Sequence, residues 1–201
     1  MMKKIIQNSL VTARSYTEYK ELILNLLKEG RSTGSSQNEN LLNFTRLNDK
    51  RMKRLDKQTI LSEPTKEKTQ RIQKDFTWLV LTESWCGDAA QTLPILNKFA
   101  ETNPKIELKV VLRDDNTDLM NGFLTNGSKS IPKLIVLEKD TNNVISTWGP
   151  RSEKATDLVN DYKGKHGKLD AEFKKDLQLW YNSDKGIHIE KELVELLNKM
   201  K

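Results

Sequence analysis

The clearest pattern in the chain is a change of periodicity at position 76. Residues 76–82 read Phe-Thr-Trp-Leu-Val-Leu-Thr, an uncharged β-branched and aromatic run, which predicts a strand covered on both faces. Residues 87–100 follow with Ala90, Leu93, Leu96 and Phe99 on one stripe and Pro94 inside it. This predicts a helix kinked by its proline, since proline removes one backbone hydrogen bond. Residues 106–112 predict a second strand and 114–125 a helix carrying Leu119, Met120 and Phe123. A third strand at 134–137 follows Ile131-Pro132. Turn residues at 140–143 then lead to a fourth strand at 144–148, forming an antiparallel hairpin that Gly149-Pro150 ends. A helix over 152–162 and two more over 169–182 and 188–200 complete this half.

Upstream, the first convincing element starts at Ser15. Ser15 and Glu18 have capping-box spacing, Tyr19, Leu22, Ile23, Leu26 and Leu27 recur at helical spacing, and Gly30 offers a left-handed stop. A Ser- and Gly-rich loop at 31–37 precedes a helix carrying Leu41, Phe44, Leu47, Met52 and Leu55, and Pro64 opens a short polar helix reaching about 75. The order is helices, then β-α-β-α-β-β-α, then helices. The first two strands should be parallel with a right-handed crossover. An α/β class follows, with an N-terminal helical extension over 1–75, a core over 76–165 and C-terminal helices over 166–201 in one globular unit.

Composition adds exclusions. A chain of 201 residues, 36% hydrophobic and 31% charged, is long enough for one domain with a real core and is not disordered in composition. No apolar run approaches the roughly 20 residues needed to span a bilayer, and residues 1–10 make a poor secretory signal. A single cysteine cannot form an internal disulfide, so the expected location is the cytoplasm. The net charge of +6 is spread out. Its densest piece, Lys50-Arg51-Met52-Lys53-Arg54, is flanked by Asp49 and Asp56 and reads as a solvated helix face; neither nucleic acid nor membrane is expected as a partner.

The chemistry concentrates at Glu83-Ser84-Trp85-Cys86-Gly87-Asp88-Ala89, between the first strand and the kinked helix. A cysteine at a helix start faces unpaired N–H groups and the positive end of the dipole, both favouring thiolate, the nucleophilic form. Gly87 removes a side chain beside the sulfur and would let another backbone approach. A buried structural cysteine is the competing reading.

Trp85-Cys86-Gly87 resembles the start of the Trp-Cys-Gly-Pro-Cys motif of the thioredoxin superfamily. Pro94 falls where that family kinks its active-site helix, Ile131-Pro132 resembles its cis-proline, and the hairpin with Gly149 is similar to its last two strands. The resemblance covers 76–162 and looks most like a bacterial thioredoxin-like subgroup with long N-terminal helical extensions. It implies a thioredoxin-like fold, a central mixed sheet flanked by helices, with additions at both ends. It implies no cofactor and no metal.

Departures from the motif shape the expected mechanism. Ala89 stands where the second cysteine would be, Asp88 replaces the motif proline and should oppose thiolate formation, and Val80 replaces the buried acid. Glu83 could substitute for that acid or be an ordinary strand-end glutamate. The resemblance therefore implies a monothiol oxidoreductase in which Cys86 forms mixed disulfides with protein or small-molecule thiols, resolved by a second molecule. Trp85, Gly87, Asp88, Ile131 and Pro132 would bind substrate, the backbone of Ser130 and Ile131 pairing with an extended chain. The alternative is a redox-inactive peptide-binding module on the same fold. Lys129 and Lys133 are expected to be solvated, His166 and His188 to be surface residues and not zinc ligands, and Asp114-Asp115 to open a helix. Residues 122–127 lack a phosphate-loop ending, and Trp180-Tyr181 is expected to pack the C-terminal extension onto the core.

Overall fold

A computed structural model describes residues 1–200. Its elements in chain order are α1 Met2–Val11, α2 Tyr16–Lys28, α3 Glu39–Gln58, α4 Glu63–Gln70, β1 Phe76–Thr82, α5 Gly87–Thr102, β2 Ile106–Leu112, α6 Thr117–Gly122, β3 Lys133–Glu138, β4 Asn143–Trp148, α7 Glu153–His166, α8 Ala171–Asp184 and α9 Ile187–Leu197. The strands lie in the order β2-β1-β3-β4. β1 pairs parallel with β2, Val80 opposite Val110, and antiparallel with β3, Val80 opposite Leu134; β3 and β4 form the hairpin. The expected parallel first pair and antiparallel hairpin are present.

Every residue of β1 is buried, because neighbours pair on both edges and side chains pack on both faces. Trp78 and Phe99 meet at a ring distance of 5.7 Å, tying the centre of β1 to α5. The outer edge of β2 is protected too: Arg14 and Val110 exchange backbone hydrogen bonds at 2.9 and 2.7 Å, which occupies groups that would otherwise pair with another chain.

Three local outcomes differ from the sequence pattern. Helix α1 exists although its sequence shows weak periodicity; it buries little besides Ile6 and Ser9 and is held by its contact with α6 and β2. The helix expected over 114–125 shrinks to α6. Most tellingly, α3 buries Met52 of its apolar stripe but leaves two other members outside and turns polar neighbours inward. Phe44 and Leu47 are 42% and 47% exposed, while Thr45 and Asn48 are buried at 0% and 1%. The physical reason is the partner surface: α3 lies on α5 and on the polar loop leading into it, and that loop offers hydrogen bonds rather than apolar area.

α5 is consequently enclosed. It touches β2 beneath and α3, α4 and α9 outside, so Gln91, Thr92 and Ile95 are buried as well as the predicted stripe. This packing supplies the tertiary support that the internal Pro94 needs.

Candidate functional site

β1 delivers the chain to a tight turn in which Cys86 N–H donates to the Glu83 carbonyl at 3.1 Å. Cys86 is then the N-cap of α5. Its Sγ accepts from Ala89 N–H at 3.5 Å and its thiol donates to the Ile131 carbonyl at 3.3 Å. Ile131-Pro132 is a cis peptide, as is Gly149-Pro150. Gly149 has φ +100°, and a Cβ there would sit 2.4 Å from the Pro132 carbonyl oxygen; glycine is needed at this crossing. The cysteine, the proline turn and the end of β4 thus converge.

Cys86 is only 8% exposed. Burial, and after it the negative charge of Asp88, push its thiol up to about 12, against the opposing pull of the Ala89 N–H and Arg151. The expectation that the helix start would favour thiolate is corrected here: desolvation outweighs the dipole.

Asp88 is buried as well. One oxygen pairs with Arg151 at 2.5 Å and the other accepts from the Tyr181 hydroxyl at 3.0 Å. Burial raises the carboxyl, with Arg151 and Tyr181 pulling the other way. Asp88 therefore does not face an incoming ligand in this form.

The other predicted binding residues are covered by the chain itself. A Cβ on Gly87 would lie 3.0 Å from Gln178 Nε2 on α8 and 3.8 Å from an Arg51 nitrogen on α3. The close neighbours at Gly87 are these side chains and not a second backbone. Ile131 and Pro132 are buried, the Ile131 carbonyl is taken by the Cys86 thiol, and Ser130 N–H bonds locally to Ser128 O at 2.8 Å. Two of the backbone groups expected to pair with an extended peptide are thus bonded within the chain. Trp85 is half-buried, with the Arg113 guanidinium 4.9 Å over its ring.

Several further expectations change. Lys133 is buried, not solvated: it donates to Thr125 Oγ1 at 3.1 Å, and desolvation lowers its pKa. Lys129 is exposed as expected. Glu83 is 0% exposed, raised by burial, and accepts from Asp114 N–H at 2.9 Å. One carboxyl oxygen is held by the β2–α6 loop, while Oε2 is buried with no hydrogen-bond partner among the described residues. Asp114 pairs with Arg113 at 2.8 Å, and α6 begins only at Thr117. Arg51 and Arg54 bond Asn48 and Asn182 at 2.7 and 2.6 Å, so part of the basic run links α3 to itself and to α8. His188 pairs with Asp184, and His166 stacks on Tyr162 at 4.2 Å. Among the described residues no cluster of metal-ligating side chains occurs, and no helix is long and apolar enough to cross a membrane.

Sequence reasoning missed the residues that close the site. Ser84 Oγ accepts from Thr33 N–H and the Thr33 hydroxyl at 3.1 and 3.0 Å and meets the Thr45 hydroxyl at 2.9 Å; Ser84 N–H donates to Thr33 Oγ1 at 2.7 Å. Asn48 Nδ2 donates to the Ser84 carbonyl at 2.8 Å. On the other flank Gln178 bonds Gln91 at 2.9 Å, beside the Tyr181–Asp88 contact. The available signal is the helical spacing of Thr45, Asn48 and Met52, beside the more apolar Phe44 and Leu47.

A cysteine at a helix start, facing a cis-proline across a mixed sheet, defines a thioredoxin-like fold. The chain belongs to the thioredoxin family, whose model, described as thioredoxin, matches residues 34–163. That match begins well before the region of resemblance at 76–162 and takes in α3 and α4. Among solved structures, one protein of unknown function from Pseudomonas aeruginosa is similar at 19% identity and a TM-score of 0.60, covering 94% of this chain and 99% of its own. An HIV epitope scaffold is similar at 19% identity and a TM-score of 0.57, covering 92% and 98%. Both likenesses concern the fold, including the helical additions. No curated protein matches the sequence.

Proposed function

We propose that this thioredoxin-like protein is a monothiol thiol-disulfide oxidoreductase acting through Cys86. The observation that supports this most is geometric: Sγ caps α5 within 3.3 Å of the Ile131 carbonyl, beside cis-Pro132, while the resolving position holds Ala89. In the proposed cycle Cys86 loses its proton and attacks one sulfur of a disulfide. A Cys86 mixed disulfide forms and the other sulfur leaves as a thiolate. An external thiol, as thiolate, then attacks the substrate-derived sulfur of the mixed disulfide and regenerates Cys86. Electrons balance without a cofactor, and the reducing cytoplasm would supply the resolving thiol. The partners are thus protein or small-molecule disulfides and thiols.

The buried, protonated thiol requires that the covering residues part before attack. It also favours a second reading, a redox-silent protein-binding module whose cysteine only fills its pocket. Intact-mass analysis of the folded protein after incubation with glutathione disulfide separates the two. A single adduct, absent in Cys86→Ser and removed by added thiol, is the expected result. No adduct on the folded chain, with ready reaction after unfolding, would overturn the oxidoreductase reading.

A further inference from the structure

Arg151 reaches the cysteine pocket from the far side of the cis-proline. It directly follows Gly149-Pro150, and Gly149 lies against the Pro132 carbonyl, so the crossing that places Pro132 also places this guanidinium. One terminal nitrogen holds Asp88 at 2.5 Å, while Nε is buried and has no hydrogen-bond partner among the described residues. A guanidinium offers a planar fork suited to a carboxylate, and here part of that fork is unused. Six ionisable groups face Cys86 or its flanking residues: Asp88 from α5, Arg151 from the β4–α7 connection, Tyr181 from α8, Tyr19 from α2, Arg51 from α3 beside Gly87 and Arg113 over Trp85. Within the set, Asp88 opposes an anion at the sulfur and Arg151 favours one.

We propose that Arg151 is an anion receptor beside Cys86, that Asp88 is its built-in occupant, and that the disulfides this site takes carry a carboxylate near the sulfur. The proposal deepens the monothiol reading and rests on Cys86 being the attacking group. An arriving carboxylate would take the free side of the guanidinium and loosen its hold on Asp88, while Tyr181 retains the Asp88 carboxyl. Asp88 thus screens the receptor at rest and selects against disulfides that cannot compete for it.

Two alkylating reagents of nearly equal size test this without any disulfide. Iodoacetate and iodoacetamide both form an S–CH₂ bond to Cys86 and release iodide, but only the first carries a negative charge. The readout is the ratio of their rates on the folded protein, divided by the same ratio on the unfolded chain; pocket exposure cancels. Asp88→Asn, which keeps an acceptor for Tyr181, should raise this ratio by about tenfold, given one unit charge removed from a low-dielectric site. Arg151→Met should bring it below the wild-type value, and Arg151→Lys, which keeps the charge, should recover part of it even if the methionine variant folds poorly. An unchanged ratio in Asp88→Asn, or equal ratios in Arg151→Met and wild type, would overturn the receptor. So would failure of both reagents to reach Cys86 in folded wild type and Asp88→Asn. Because alkylation needs no disulfide, a charge preference without a glutathione adduct sinks the oxidoreductase reading and the disulfide selectivity but not the receptor, whereas an adduct without charge preference sinks only the receptor.

Discussion

Ser84 and Asp88 stand on either side of Cys86, and they are held by opposite means. The N-terminal addition holds Ser84 with neutral groups: Thr33, Thr45 and Asn48 surround its hydroxyl and carbonyl. The C-terminal side holds Asp88 with charge, through Arg151 and the Tyr181 phenol. A neutral shell fixes the course of the backbone and leaves protonation nearly alone. A charged shell in a desolvated place decides which protonation states nearby are tolerable. One flank therefore positions the cysteine, and the other sets its chemistry.

The sharpest way to break this contrast is Arg151→Met. It leaves Asp88 buried without its counter-charge, and loss of one partner from such a pair costs about 3 kcal/mol. Urea unfolding at neutral pH should show that loss, and a change within error would mean that Asp88 is not held by charge. Ser84→Ala should cost less, about 2 kcal/mol, since it strands the neutral N–H and hydroxyl donors of Thr33. It should shift the alkylation pH profile of Cys86 little compared with Asp88→Asn; an equal shift in both would erase the distinction between the flanks.

The thiol itself gives a pH-dependent test. Burial lifts Cys86 from an ordinary 9.0 to about 12, so above 9.0 the unfolded chain releases this proton while the folded one keeps it. Stability is therefore lost as pH rises through that window. At about pH 10 the wild type should lose roughly 1.4 kcal/mol more than Cys86→Ala, each measured against its own stability near neutral pH. Parallel stability curves for the two proteins would show that the thiol is not desolvated. The smallest effect concerns α3. Asn48→Ala should cost about 1 kcal/mol through its bond to the Ser84 carbonyl, whereas Phe44→Ala on the exposed face should stay within about 0.5 kcal/mol. The reverse order would restore the apolar stripe as the buried face.

That reversal in α3 marks how far the sequence could be read. Capping at Ser15, the uncharged run of β1, Pro94 and the turn residues at 140–143 each act through neighbours in sequence, and the structure agrees with all of them. Trp85-Cys86-Gly87 and Ile131-Pro132 likewise marked a helix start and a proline turn, because both features are local. What covers the site was not legible. Thr33, Arg151 and Tyr181 are ordinary polar residues until folding brings them to Ser84 and Asp88 from far along the chain.

The sequence by itself determined the order of elements, the parallel β1–β2 pair and the antiparallel β3–β4 hairpin, the place of Cys86 at the start of α5, and the absence of a second thiol. These depend on periodicity, on backbone conformations that few residues adopt, and on composition. Only the tertiary structure decided that the cysteine is buried and protonated, that Asp88 is paired with Arg151, and that α3 turns polar residues inward. Desolvation and hydrogen bonding depend on what surrounds a group in three dimensions, and for this site the surroundings come from both ends of the chain.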